Sequence, residues 1–425
     1  MPAINNMTDR TNDMSSGTQG DWKHRLYLIL KLSSKINSIL NVKEIIEAIA
    51  EGTKEILESE RCTVFLLDSI NKEIFSWVAL GMEEAEIRFP IGKGLAGYVA
   101  DSGETLNISD VYKDKRFNPE IDKKTGYRTK NILCMPMRNQ KARIIGVFAV
   151  LNKKEENFTI EDEEVLGLLS KQAAAALESA QLYEELKKSF DSFINTLAET
   201  IDARDPMTAG HSRRVSKYSL IIAEGMGYSA ERKEALRYAS MLHDLGKIGV
   251  RESILVKPDQ LLGDEYEQIK SHATITRKIL ELTYFSTEFK DIPLAAASHH
   301  ESMDGTGYPQ KLKGDQIPEM ARIIAVADVF DALTYTRRYR KPMSMENTLA
   351  LIRKDTGTKF DPGCVEAFLK QKVYDVLKIL NEGEENEVAE NSSQVFGDVT
   401  LGEIDKIEDI KVVEEFNKYY TAGIS

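Results

Sequence analysis

Histidine spacing constrains this chain more than any other feature. Five of its six histidines, His211, His243, His272, His299 and His300, fall within one window of about ninety residues. His211 precedes His243 by 32 residues, His272 follows Asp244 by 28, His299 follows His272 by 27, and Asp328 follows His300 by 28. Each interval fits one helix pair, so each side chain can return to the same end of a helical bundle, which is how bundles build metal sites. His299 and His300 end an apolar run, Ile292 to Ala297, and a turn containing Asp304-Gly305-Thr306-Gly307-Tyr308-Pro309 follows. Adjacent residues inside a helix do not share a face, but at a helix end they can converge on one point. The adjacent pair His243-Asp244 lets an imidazole hold one ion while the carboxylate oxygens bridge to a second. Mixed imidazole and carboxylate donors suit Fe, Mn or Zn and not Ca or Mg alone, which favour oxygen shells.

The rest of the chain bounds the class. Its 425 residues give room for two or three domains, and 42% hydrophobic with 29% charged residues is a soluble, globular composition. No run of about eighteen apolar residues occurs, so no membrane span is expected, and the polar N-terminus lacks the order of a secretory signal. Cys62, Cys134 and Cys364 are far apart in apolar contexts and read as reduced core residues, which points to the cytoplasm. Twelve acidic and three basic residues in 381–425 supply −9 of the net charge of −12. An acidic chain does not suit duplex DNA or RNA, which needs a basic face.

Residues 1–21 read as a disordered leader, and 22–165 as an α+β domain. Two helical patterns (Leu26 to Leu40, Ile45 to Ile56) precede strand-like runs at Cys62–Leu67, Ile74–Val78, Ile132–Met137 and Ile144–Leu151. The glycine turn Gly92-Lys-Gly-Leu-Ala-Gly97 opens a short helix between them. From Glu161 to Ala203 the pattern is helical without proline, with Val165, Leu168, Leu169, Leu177, Leu182, Leu186, Phe190, Phe193, Leu197 and Ile201 near heptad spacing. Residues 166–203 therefore read as a connecting helix that pairs with its copy in a homodimer. Residues 204–380 read as all-α, and 381–425 as an acidic tail: a linker and a weak helical pattern with no assigned chemistry.

Residues 24–180 resemble the GAF family of ligand-sensing domains. The likeness rests on Gly92 to Gly97, on Val99 to Leu106, and on Asn152-Lys153, Phe158 and Asp162-Glu163. That last pattern is similar to the motif of GAF domains that bind cyclic nucleotides. It implies a cyclic nucleotide or another small ligand, although a dimer scaffold with no such ligand fits the fold as well. Acidic residues at 161–163 also suit a plain helix start.

Residues 205–364 resemble an HD-GYP domain, a branch of the HD phosphohydrolases. The matching pieces are Gly210-His-Ser, His243-Asp-Leu-Gly-Lys-Ile, His272, His299-His-Glu with Asp304 to Pro309, Ile317-Pro318, Arg322 to Leu333, Arg337 with Tyr339-Arg340, and Phe360-Asp-Pro362. The resemblance implies metal ligands at His211, His243, Asp244, His272, His299, His300 and Asp328, with Asp244 bridging. It also implies hydrolysis of cyclic di-GMP to pGpG and GMP. The alternatives are a non-catalytic receptor for that messenger, or hydrolysis of another cyclic dinucleotide such as cyclic GMP-AMP.

In that reading two ions, Fe or Mn, activate a water for in-line attack. Asp244 and Lys247 are the candidate catalytic residues. Lys247, four residues after His243, is placed on the same helical face to offset phosphoryl charge. Tyr308, Arg337 and Arg340 join Lys247 as candidate substrate contacts, the arginines forking onto phosphate or a guanine edge. Asp331, on the helical face of Asp328, is placed with this group and is suited to orient a ligand from behind. Gly305 and Gly307 are expected to supply positive φ in the turn. Some family members hold a third metal with a glutamate four residues before the first histidine. Met207 stands there and offers no oxygen, so two metals are expected.

Overall fold

The computed structural model of the chain describes residues 14–76, 87–204, 210–257, 262–335, 342–382, 388, 392–407 and 409–422. Its contacts divide it into two compact units, Met1–Lys188 and Ser189–Ser425.

The first unit is built on one antiparallel sheet. Its strands are β1 (Ser59–Asp68), β2 (Glu73–Ser76), β3 (Ile87–Pro90), β4 (Leu106–Ile108), β5 (Ile132–Arg138) and β6 (Ile144–Lys153), in the order β3-β2-β1-β6-β5-β4. The central strands are apolar on both faces because both are covered. Cys62, Val64, Leu66, Phe148 and Val150 pack against the helices Met14–Asn37 and Val42–Ile56 and the start of Ile160–Arg204. Phe65, Val147 and Ala149 face the opposite way, toward Leu95 and Val99 of the helix Gly94–Ser102. Strands β3 and β4, of four and three residues, are too short for alternation to betray them, and the sequence pattern misses both. The expected strand at Ile74–Val78 is observed only to Ser76, since Trp77 and Val78 lie outside the described residues.

Two boundaries differ from expectation. The first helix begins at Met14, inside the stretch read as a disordered leader, while residues 1–13 lie outside the described residues. The connecting helix begins at Ile160 and runs 45 residues to Arg204. Its start is locked by reciprocal bonds: Thr159 N–H donates to Asp162 Oδ2 at 2.9 Å and Asp162 N–H to Thr159 Oγ1 at 3.2 Å. The single apolar stripe read from its sequence is two faces. Val165, Leu166, Leu169, Ala173, Leu177 and Ala180 are buried against the sheet. Leu168, Leu182, Leu186 and Phe193 are 51–69% exposed.

The described residues of the second unit are mostly helical and pack round one large core. Tyr218 of His211–Gly225, Phe330 of Glu319–Thr334 and Phe368 of Pro362–Leu369 stack edge to face at 5.1 and 4.8 Å. The acidic tail also departs from the linker reading. Its helices Ser392–Phe396 and Ile410–Ala422 return Phe396, Val412, Phe416, Tyr419 and Tyr420 to this core. Charge dominated its composition and hid four aromatic anchors. The three cysteines are buried and free. Among the described residues no helix is long and apolar enough to cross a membrane.

Candidate metal centre

His243, His272 and His299 share one local device. In each, Nδ1 lies 2.6 Å from a backbone oxygen three residues earlier: Ser240, Ile269 and Ala296 respectively. A carbonyl oxygen can only accept, so Nδ1 carries the proton and Nε2 keeps its lone pair. His243 and His299 reach this geometry just past the helices Ala230–Met241 and Ile292–Ala297, whereas His272 sits within Gly263–Leu280. The three lone pairs converge in a buried space. His272 Nε2 and His299 Nε2 are 3.4 Å apart, and His243 Nε2 has no hydrogen-bond partner. Buried lone pairs with no donor are unfavourable alone and well suited to a cation.

Asp244 stands between two groups of donors. His272, His299 and His300 form one, His211, His243 and Asp328 another, and Asp244 groups with His243 and His299, one from each. Its Oδ1 lies 3.4 Å from His272 Nε2 and 4.0 Å from His299 Nε2. Its Oδ2 lies 3.4 Å from His243 Nε2 and 3.8 Å from His211 Nε2. Each oxygen thus faces a different group, and the donors fit two ions with Asp244 shared. The structure brings all seven expected ligands together.

Burial dominates the electrostatics. It pushes His272 and His299 down to about 4 and lowers His243 and His300, keeping these imidazoles neutral. Burial opposes the charge of His211 too, but its hydrogen bonds to Asp328 and Asp331 outweigh it and raise the group to about 9. Burial likewise works against ionised Asp244 and Asp328. Lys247 and the surrounding imidazoles overcome it for Asp244, and His211 for Asp328, so both stay well below the usual carboxylate range.

The supporting residues were only partly legible. His211 donates from Nδ1 to Asp331 Oδ2 at 2.7 Å, leaving Nε2 for the centre, 3.3 Å from Asp328 Oδ1. Arg214 grips the same carboxylate through Nε at 2.7 Å and Nη2 at 3.0 Å, and stacks on Tyr335 at 3.4 Å. Asp331 is 1% exposed and bonded inward, so it stands behind His211 and not among the substrate contacts. Sequence reasoning missed Arg214, although its i,i+3 spacing from His211 was a usable signal.

Lys247 also differs from its expected setting. The helix ends at Met241 and Lys247 lies in the 3₁₀ turn Leu245–Gly249, so no α-helical face joins it to His243. Its Nζ nevertheless reaches Asp244 Oδ2 at 2.8 Å. Gly246 explains the tight turn: a Cβ there would lie 1.9 Å from His272 O. Gly246 N–H donates to Thr276 Oγ1 at 2.8 Å and Thr276 Oγ1 to His243 O at 3.0 Å, an unforeseen link between two ligand segments.

At the rim, Tyr308 packs on His300 with ring centroids 4.7 Å apart. The turn is held by Glu301, 3% exposed, whose oxygens accept from Gln310 N–H at 2.6 Å and Leu312 N–H at 3.0 Å. Gly305 has φ +83° as expected, but Gly307 does not take a positive φ. It is required for space, because a Cβ would meet Ser302 N at 2.4 Å. Arg337, Arg340 and Met207 lie outside the described residues.

The polar motif residues of the first unit all have partners within that unit. Lys153 Nζ pairs with Asp162 Oδ2 at 2.9 Å, beneath the 5%-exposed Phe158. Asn152 Nδ2 donates to Glu60 Oε2 at 2.9 Å and Arg128 O at 3.0 Å, and Glu163 Oε1 accepts from Asn107 Nδ2 at 2.8 Å. The Lys153–Asp162 pair ties β6 to the connecting helix, and the Glu163 bond ties the same helix to β4.

Residues 195–364 match the family described as HD domain, and residues 41–177 that described as GAF domain. The 3'3'-cGAMP-specific phosphodiesterase 3 of Vibrio cholerae is 38% identical over 208 residues, covering 49% of this chain and 43% of the relative. The cyclic di-GMP phosphodiesterase response regulator RpfG of Xanthomonas campestris is 38% identical over 203 residues, covering 47% of this chain and 53% of the relative. The dual 3',5'-cyclic-AMP and -GMP phosphodiesterase 11A of Takifugu rubripes is 37% identical over 175 residues, covering 38% of this chain and 19% of the relative. The chain spans about half the length of the first two of these relatives.

Proposed function

We propose that this chain, a GAF domain followed by an HD domain, is a metal-dependent phosphodiesterase that hydrolyses cyclic di-GMP to pGpG and GMP. The observation that carries the reading is Asp244, with one oxygen toward His272 and His299 and the other toward His243 and His211. The donor set suits two Fe or Mn ions. Such ions, when bound, lower the pKa of a water and share the charge of a phosphodiester.

The chain's own residues do the remainder. The backbone carbonyls behind His243, His272 and His299 fix their tautomers, and Asp331 fixes that of His211. Lys247 keeps Asp244 ionised and places a cation beside the reacting phosphate. Tyr308, tilted by 35° against His300, offers a stacking face to a nucleobase at the entrance. Arg337 and Arg340 are proposed to reach the second phosphate or a guanine edge.

Hydrolysis of 3'3'-cGAMP is the second reading, favoured by the name of the Vibrio relative at equal identity. A receptor without turnover would have no use for all seven ligands. The GAF domain is proposed to bind a cyclic nucleotide or another small molecule and to regulate hydrolysis. The exposed stripe of the connecting helix supports a homodimer, and the protein is proposed to act in the cytoplasm.

The test is turnover of both dinucleotides by the Mn-loaded full chain, with products separated by chromatography and Asp244→Ala as the control. Linear product from wild type, lost in the variant, supports the reading. Both dinucleotides intact after long incubation would overturn it, and three ions per chain by elemental analysis would overturn the two-metal assignment.

A further inference from the structure

The last turn of the connecting helix grips two of the segments that supply candidate metal ligands. Asp202, 4% exposed, accepts from Ser212 Oγ at 2.8 Å and from Ser212 N–H at 3.3 Å. Ser212 follows His211 in a helix whose cap, Gly210, has no side chain to satisfy the first backbone donors. Asp202 does that from outside, where Ser or Asp at a cap would ordinarily do it. Two residues on, Arg204 Nη2 donates to Val250 O at 2.8 Å and Nη1 donates to Ile248 O. Those carbonyls close the turn that begins at Asp244 and carries Lys247. One helical turn therefore holds the His211 end of the centre with a carboxylate and the Asp244 end with a guanidinium.

We propose that Asp202 and Arg204 are positioning residues by which the connecting helix holds His211 in register with the turn that follows Asp244. The inference rests on the metal-centre reading above and names where a signal in that helix would arrive. A small rotation or slide of its last turn moves Ser212 and Val250 together, since the bonds lie within two residues. Lysine can replace Arg204 only in part, because its compact ammonium lacks the rigid planar fork that spans two carbonyls.

The experiment uses the full chain stripped of metal and titrated with Mn²⁺, in Arg204→Ala, Arg204→Lys and Asp202→Asn. Arg353→Ala is the control. Arg353 Nη2 also holds a backbone oxygen, that of Gly402 at 2.8 Å, in the same unit but at no ligand segment. The readouts are Mn²⁺ affinity, the EPR line shape of bound Mn²⁺, and turnover of bis(p-nitrophenyl) phosphate. Arg204→Ala is expected to weaken Mn²⁺ binding about tenfold and alter the line shape, as loss of a ligand-orienting contact does. Arg204→Lys should lie between it and wild type, and the control should lose only thermal stability. Unchanged affinity and line shape in both Arg204→Ala and Asp202→Asn would overturn the proposal, as would equal effects in the control. These Mn²⁺ readouts need no dinucleotide, so failure to hydrolyse cyclic di-GMP would count against the substrate reading alone.

Discussion

His272 Nε2 and His299 Nε2 face each other at 3.4 Å while each ring commits its proton to a backbone carbonyl at Nδ1. Neither nitrogen can donate to the other, so the contact is repulsive until a cation arrives. Chelation should therefore destabilise the second unit, and Mn²⁺ should restore it. At a thousandfold excess over Kd the gain is about 4 kcal/mol, or roughly 10 °C in the midpoint of a domain this size. Calorimetry with and without chelator checks it; equal midpoints would sink the idea.

The stripped protein should also show a stability maximum near pH 6.5. His272 and His299 fall to about 4 on folding, so the unfolded chain binds more protons between pH 4 and 6.5. Stability therefore rises with pH across that window. His211 is raised to about 9, so its contribution is full below 6.5 and is lost as pH climbs to 9. Four lowered imidazoles, His243, His272, His299 and His300, act on the acid limb against one on the alkaline limb, so the acid limb should be steeper. Denaturant midpoints from pH 4 to 9 test this, and a curve rising monotonically to pH 9 would contradict it.

Asp331→Asn should cost metal affinity about 10–100-fold, the usual effect of removing a ligand's orienting partner. The change removes the carboxylate that fixes the His211 tautomer and leaves Arg214 without its fork. Competition with a chelator measures it. Unchanged metal affinity with a raised KM would instead place Asp331 at the substrate.

Spacing made the ligands legible because each metal-binding side chain is chemically distinctive and recurs after one helix pair. What escaped was held by backbone. The Nδ1–H bonds of His243, His272 and His299, the close approach at Gly246, and the Glu301 clamp on the turn all use main-chain groups that every sequence offers. The same limit hid β3 and β4, whose four- and three-residue lengths carry no period. It also merged two faces of the connecting helix into one stripe, since a period near 3.5 does not say what covers each side.

The uncovered face of that helix should hold two copies together. Leu182 and Leu186 are 59% and 69% exposed at i,i+4 spacing. Replacing both with glutamate puts like charges opposite each other in a parallel pair. Sedimentation equilibrium should show a dimer for wild type and a monomer for the double variant. A wild-type monomer at tens of micromolar would refute the pairing.

Lys153→Met should lower the melting transition of the first unit without abolishing small-molecule binding there. Its Nζ and Asp162 Oδ2, 2.9 Å apart, are 10% and 1% exposed, so the variant leaves a buried carboxylate. Losing one partner of such a pair costs about 3–5 kcal/mol. Arg25 Nη1, 3.2 Å from the other oxygen, should hold the loss to about 2 kcal/mol. Complete loss of ligand binding with no change in melting would return the motif to the binding site.

Gly246→Ala and Gly263→Ala should separate crowding at the centre from a general effect of glycine replacement. At Gly246 the new methyl would lie 1.9 Å from His272 O and 2.5 Å from Thr276 N, so the helix carrying His272 must retreat by about an ångström. A displacement of that size at a catalytic group can cost about 10²-fold in rate. At Gly263, the first residue of the same helix, a methyl meets nothing within 4 Å and no positive φ opposes it. That variant should hold or gain about 0.5 kcal/mol by restricting the unfolded chain. Turnover and melting of the two variants side by side decide the matter: equal activity would mean that the Gly246 contact does not set the position of His272.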